Sequence, residues 1–244
     1  MGSLLPLELS RRPALHRVAV LFSLDPRALA DVLPPDMSPR TVAGRAVGEI
    51  RYAQGSRPLL RGPLPGAGDR LSYRFPVTVD EGGRIRPGTW VLRRGSSSWL
   101  EATYGERLLG TEVDRTRFEC VDRPHRLTLA VRGRDGVELE LRAVPTDRTP
   151  SRLFPTARAL DDFLADEGTL RPRGPFTRRA SRRRTAPEPL VALGLRSALF
   201  ESGTPFPRES VSFDSVWRFV DRRGILAGAE RRSLERGPDM MPAL

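Results

Sequence analysis

The chain contains no lysine: all 41 of its Lys+Arg residues are arginine. A guanidinium group does not lose its proton in a protein, so it cannot form an imine with a carbonyl substrate. The α-amino group of Met1 is the one remaining amine. Asparagine is also absent, Gln54 is the only glutamine, and isoleucine occurs only at Ile50, Ile85 and Ile225. Loss of residues with A/T-rich codons, beside abundant Arg, Ala, Gly and Pro, reads as a high-GC coding bias. That bias accounts for surface arginines, but it would not readily erase an essential lysine. Cys120 is the only cysteine, which excludes an intramolecular disulfide and a Cys-rich metal site. His16 and His125 are the only histidines and lie far apart in sequence, so no metal site is expected. No Gly-x-Ser-x-Gly nucleophile elbow occurs, and the glycine-rich GPLPGAG lacks the lysine and preceding strand of a phosphate loop. No cofactor is expected. No apolar run approaches membrane-spanning length, and Met1 to Leu9 lacks the features of a signal peptide, which predicts a cytoplasmic protein.

What is present is a globular composition, 244 residues with 39% hydrophobic and 29% charged, enough to bury a sizeable core. The formal net charge is +11, concentrated in RPRGPFTRRASRRRT, where Arg171, Arg173, Arg178, Arg179, Arg182, Arg183 and Arg184 cluster. Without these seven the balance is +4. Only Phe176 interrupts the cluster, so the interleaved aromatics of a single-strand binder are missing.

Residues 13 to 145 are dominated by short alternating stretches between Gly, Pro and Asp, a β pattern. Strands are predicted at His16–Phe22, Gly44–Tyr52, Leu71–Val79, Gly88–Arg93, Ser98–Thr103, Arg115–Val121, Arg126–Val131 and Val137–Ala143. In LTLAVRGRDGVELELRA, Leu127, Leu129 and Val131 alternate before Asp135-Gly136, and Val137, Leu139 and Leu141 after it, a tight hairpin. DPRALADVLPP predicts a helix with Asp25 as cap, Pro26 in the first turn and Pro34-Pro35 as stop. A second short helix is predicted near Tyr104–Leu109. Residues 146–190 are rich in Arg, Pro and Thr, with a helix over Thr156–Glu167 whose apolar stripe is Leu160, Phe163 and Leu164. The pattern returns to β over Ser210–Val220, with Val211, Phe213, Ser215, Trp217 and Phe219 on one face. The expected organisation is one β-rich (α+β) domain over 1–231, with 146–190 inserted and 232–244 as a flexible tail.

The stretch FSLDPRALADVLPPDMSPRTVAGRAVGEIRYAQ resembles the opening of the acetoacetate decarboxylase-like superfamily. GTWVLRRGSSSWLEATYGERLLGTEVDRTRFECV and SALFESGTPFPRESVSFDSVWRFV are similar to its uncharacterised YqjF-like branch. The resemblance spans roughly 13 to 225 and implies an open, cone-shaped antiparallel β-barrel with flanking helices and an internal pocket. In the decarboxylases a reactive lysine follows a Gly-Phe-Pro turn after a helix. The matching place here is Leu109 to Asp114: Gly110 is kept, the Pro is not, and the lysine positions fall near Val113 and Asp114. The resemblance therefore implies the fold without the decarboxylase mechanism. Other superfamily chemistries are aldol, dehydration and cyclisation reactions.

Candidate site residues follow from the strand patterns. Glu49 and Arg51 share a face of GRAVGEIRY, where Arg51 would hold a substrate carboxylate and Glu49 act as general base. A solvent-facing polar face, with Ile50 and Tyr52 packed inside, is the competing reading. Asp114 is a second acid–base candidate, with Glu112 and Arg107 nearby in sequence, against a plain surface ion pair. Trp90, Arg93 and Trp99 could wall a pocket by stacking and charge, as could Tyr73, against the reading of core aromatics. Cys120 reads as a packed thiol. The function expected is a small-molecule-binding barrel for an organic acid or carbonyl compound. As an enzyme it would be a cofactor-independent lyase, isomerase or cyclase. The sequence leaves open a non-catalytic binding protein, and a nucleic-acid or acidic-partner binder using Arg171–Arg184. A small-molecule partner is expected, without nucleic acid or membrane, and a homo-oligomer is compatible with the chain.

Overall fold

The computed structural model describes residues 17–55, 68–109, 113–123, 125–134, 136–148, 151–165, 168–170, 190–200, 206 and 210–219. The Arg171–Arg184 cluster and the 232–244 tail lie outside them. Among the described residues the strands are β1 (Arg17–Leu24), β2 (Met37–Pro39), β3 (Thr41–Val42), β4 (Arg45–Ala53), β5 (Arg70–Asp80), β6 (Ile85–Ser96), β7 (Val113–Arg115), β8 (Arg117–Arg123), β9 (Arg126–Gly133), β10 (Gly136–Pro145), β11 (Gly168–Leu170), β12 (Leu190–Phe200) and β13 (Val211–Phe219). The helices are α1 (Pro26–Ala30), α2 (Trp99–Leu109) and α3 (Ala157–Ala165).

One sheet runs β11-β6-β5-β4-β1-β13-β12-β10-β9-β8. Residues 113–123 bring its two ends together by changing partner at Thr116. Before it, β7 pairs with β6 in parallel; after it, β8 pairs with β9 antiparallel. The Thr116 amide donates to the Ser96 carbonyl (2.9 Å). A Cβ on Gly95 would lie 2.5 Å from Thr116 Oγ1, so the glycine permits this close crossing. The result is a nearly closed barrel whose seam forks at Thr116.

Inward side chains form one apolar cluster, including Val18, Val20 and Phe22 of β1, Ile50 and Tyr52 of β4, Tyr73 and Phe75 of β5, Leu129 of β9 and Leu141 of β10. Phe75 meets Phe22, Trp90 and Phe206 at ring-centroid distances of 5.9, 6.1 and 5.4 Å. Phe22 also lies against Gly48, where a Cβ would stand 2.2 Å from its ring. Gly48→Ala is expected to cost about 1–3 kcal/mol, the usual price of forcing an extra carbon into a packed core. A urea titration reads this as a lower midpoint; an unchanged midpoint would mean the ring moves aside freely.

A second cluster lies on the outer face of β1, β4 and β13, where Ala19, Leu21, Val47 and Trp217 receive Phe154 and Leu160. Thr156 Oγ1 caps α3 by accepting the Ala159 amide (3.0 Å), and Phe163 and Leu164 pack beside Leu160 as their spacing requires. Asp214 fastens the approach to this helix: its carboxylate accepts the Arg152 and Leu153 amides (2.8 and 3.1 Å) and the Ser151 hydroxyl (2.6 Å). At the N-terminal end, Asp25 Oδ1 accepts the Arg27 amide (2.8 Å) and caps α1 behind Pro26.

Two expectations are corrected, and one strand is added to those expected. Ser98–Thr103 is not a strand: Trp99–Thr103 is the first part of α2, with Ser98 just before it. Ser98-Trp99-Leu100-Glu101 has capping-box spacing, and the Ser98 carbonyl accepts the Ala102 amide (3.1 Å). The face of β13 changes at a bulge: Phe213 pairs with inward Phe22, whereas Ser215 pairs with outward Leu21. Leu190–Phe200, where no element was predicted, is a long strand between β13 and β10. No helix among the described residues is long and apolar enough to cross a membrane.

Candidate functional site

The fork in the seam is where charge gathers. Opposite β7, the β9–β10 hairpin turns through Gly133 and Gly136, the latter at φ 121°. Register slips between Val137 and Leu139, and this bulge leaves Glu138 buried with Leu139 and Leu141. A Cβ on Gly133 would fall 1.8 Å from Glu138 Oε1, so glycine there lets the carboxylate lie across the turn. On the facing wall, a bulge between Tyr73 and Arg74 in the β5–β6 pairing sets Arg93 beside inward Tyr73.

These elements bring four polar groups together. Arg93 Nε donates to Asp114 Oδ2, and Arg93 Nη2 donates to Glu138 Oε1 at 3.1 Å. The Tyr73 hydroxyl donates to Glu138 Oε2 at 3.1 Å. Burial, and then the Glu138 charge, push Tyr73 well above the ordinary phenol range, so it keeps its proton and acts as a donor. Burial opposes the Arg93 charge, but the hydrogen bond to Asp114 and the attraction of Glu138 outweigh it and raise its pKa. One cation against two carboxylates leaves the group a formal charge of −1.

The group is sealed on one side and open on the other. Tyr73 and Glu138 are buried, whereas the Arg93 and Asp114 side chains retain 23% and 27% exposure. Asp114 lines a cleft of about 750 Å³ in the fork, bounded by α2, β7, the start of β8 and the β9–β10 turn. Arg115, Arg117, Arg132 and Arg134 line the same cleft. A buried anchor with a hydrated carboxylate facing a cleft is an arrangement suited to proton transfer.

The sequence candidates divide between this place and others. Tyr73, Arg93 and Asp114 converge in the fork, and Asp114 lies near the place where the resemblance puts a lysine. Glu49 and Arg51 lie on the outer face of β4, away from the inward Ile50 and Tyr52. Glu49 is 1% exposed, accepts from Arg51 Nε (2.7 Å) and lies 3.4 Å from Arg74 Nη1, while Arg51 sits over the Phe219 ring. Trp90 packs on Phe75 in the core. Trp99 begins α2 with 53% exposure and does not pair with Trp90. The Arg107 side chain and Glu112 lie outside the described residues. Glu138 was missed because strict alternation puts it opposite Leu139; Gly133 beside a hairpin turn was the available hint of a bulge. The four cleft arginines were indistinguishable in sequence from the others.

Cys120 belongs to a different polar group, with Tyr52, whose hydroxyl donates to Asp69 Oδ2 (3.2 Å). Burial pushes the Cys120 thiol up to about 11, which argues against a thiolate nucleophile.

No protein-family model matches the chain, and no curated protein matches it in sequence. Solved structures do match in shape. Acetoacetate decarboxylase from Legionella pneumophila subsp. pneumophila str. Philadelphia 1 superposes with a TM-score of 0.51 at 12% identity, over 84% of this chain and 80% of that one. An acetoacetate decarboxylase-like enzyme from Sphingomonas wittichii RW1 does so with a TM-score of 0.51 at 13% identity, over 83% and 87%. The chain therefore has the acetoacetate decarboxylase-like fold.

Proposed function

We propose that this chain binds a small carbonyl compound bearing an anionic group and catalyses proton transfer on it, as a cofactor-independent lyase or isomerase. The observation that carries this reading is Asp114, which lines an open cleft and is held from behind by Arg93, itself clamped between Asp114 and Glu138 and part-exposed. Asp114 is the base. It removes a proton from the carbon beside the carbonyl, and the electron pair moves onto the carbonyl oxygen as an enolate. Arg93 uses Nε and Nη2 in its two ion pairs, which leaves other guanidinium N–H groups to stabilise that oxygen. Glu138 and Tyr73 are positioning residues that hold the guanidinium in place. The proton then returns to a different carbon, or a group leaves from the neighbouring one. No imine enters the scheme, in keeping with a chain that has no lysine. A shared fold with a decarboxylase of a β-keto acid supports the substrate class. Pairing of β13 with β1 supports reading 1–231 as one domain.

The test is hydrogen–deuterium exchange at the α-carbon, followed by NMR, across a panel of 2-keto acids, β-keto acids and β-diketones. Accelerated exchange of one class is expected. Saturable binding of a compound without any exchange would instead identify a binding protein.

A further inference from the structure

The floor of the cleft and its lip differ in charge. At the floor Asp114 lines the cleft, and the cluster it forms with Arg93 and Glu138 behind it carries a formal −1, so the floor does not by itself draw in an anion. The lip carries Arg115, Arg117, Arg132 and Arg134, all exposed. Among the described residues, none of these four makes an ion pair or a side-chain hydrogen bond. Two of them are paired against each other: Arg117 stands directly opposite Arg132 in the β8–β9 register. Like charges facing across an antiparallel pair destabilise the sheet. Such an arrangement is relieved by an anion placed between the groups.

We infer that the fork is a phosphate site: its arginine lip holds the phosphate or pyrophosphate of a substrate whose carbonyl end reaches Asp114. This rests on the reading of Asp114 as the base and specifies the substrate's other end. A single carboxylate balances only one of four positive charges, whereas a pyrophosphate balances most of them and offers oxygens to several guanidinium forks at once. The negative floor repels the phosphate and keeps it on the lip, which orients the substrate. A cleft of about 750 Å³ has room for both ends. Phosphorylated carbonyl compounds and nucleotide-linked thioesters share this chemistry.

The experiment is titration calorimetry of the full chain with pyrophosphate, inorganic phosphate, acetate and a short oligonucleotide. It is run on the parent, on Arg117→Gln/Arg132→Gln, and on a chain with Arg178, Arg179, Arg182, Arg183 and Arg184 changed to Gln. Pyrophosphate is expected to bind far more tightly than acetate. Removing Arg117 and Arg132 should weaken it at least tenfold, since each removes charge-assisted bonds. The same double variant, without ligand and at low salt, should have a higher Tm than the parent, because the like-charge pair is gone. Equal affinity for acetate and pyrophosphate would overturn the inference. So would binding lost in the 178–184 variant and kept in the Arg117/Arg132 variant, or a preference for the oligonucleotide that survives the cleft substitutions. Asp114→Asn separates the two ideas: it should keep pyrophosphate binding while losing exchange. Lip binding without any exchange would sink the catalytic reading and leave the phosphate site standing. Adding a nucleotide-linked thioester and a phosphorylated keto compound to the titration distinguishes the two sources.

Discussion

Arg93→Met is expected to lower stability by about 3 kcal/mol, the low end of the cost of removing one partner from a buried ion pair. Without the guanidinium, Glu138 is left buried with one neutral donor, Tyr73, and faces Asp114 with no cation between them. Partial hydration of Asp114 keeps the loss from being larger. Methionine fills much of the arginine stem's volume, so the charge effect is read apart from the lost packing. Adding Glu138→Gln to Arg93→Met should recover at least half of the loss, because the unpaired buried charge is then gone. A chemical-denaturation double-mutant cycle measures both steps. An Arg93→Met chain as stable as the parent would mean that water replaces the guanidinium, and that the cluster is not an organising centre.

Asp114→Asn should leave the fold intact and reduce α-carbon exchange by about 10²- to 10⁴-fold, the usual contribution of a positioned general base. The asparagine side-chain oxygen can still accept from Arg93 Nε, so the clamp on the guanidinium survives while the proton acceptor does not. KM for the substrate should change little, since the anionic group is held by the lip. Comparison with Glu49→Gln tests the alternative first suggested by the strand pattern. Glu49 is closed in by Arg51 and Arg74 on the barrel's outer face, and its loss should affect stability more than exchange. Exchange that survives Asp114→Asn and disappears with Glu49→Gln would move the active site to the other side of the sheet.

Much of the β framework was legible because its signals are local. Asp135-Gly136 between two alternating runs marks a hairpin, and β9 and β10 form it. Asp25-Pro26 before an apolar turn marks a helix start, and Asp25 caps it. The helix expected at Tyr104–Leu109 is there, but the same reasoning erred at Ser98–Thr103, where alternation competed with the capping signal of Ser98 and Glu101 and the capping signal won. It erred again in β13, because a bulge between Phe213 and Ser215 exchanges the two faces partway along the strand.

The site was legible only in part. Tyr73, Arg93 and Asp114 were chosen as separate candidates from strands and a turn, and nothing local joined them or added Glu138. The missing lysine alone decided that a lysine-based imine is unavailable, since that depends on chemistry and not on geometry. The succession of short alternating segments decided that the body is a sheet. Which face of the sheet became the interior was left to the tertiary structure. A period of two separates Val47, Glu49 and Arg51 from Gly48, Ile50 and Tyr52, but it does not say which set is concave. Closure of the barrel decided it: Ile50 and Tyr52 joined the larger apolar cluster, and Glu49 was left outside with its own arginines. Closure also made the fork, because residues 113–123 had to leave β6 for β9 at Thr116, and the cleft that parting opens is where the charges meet.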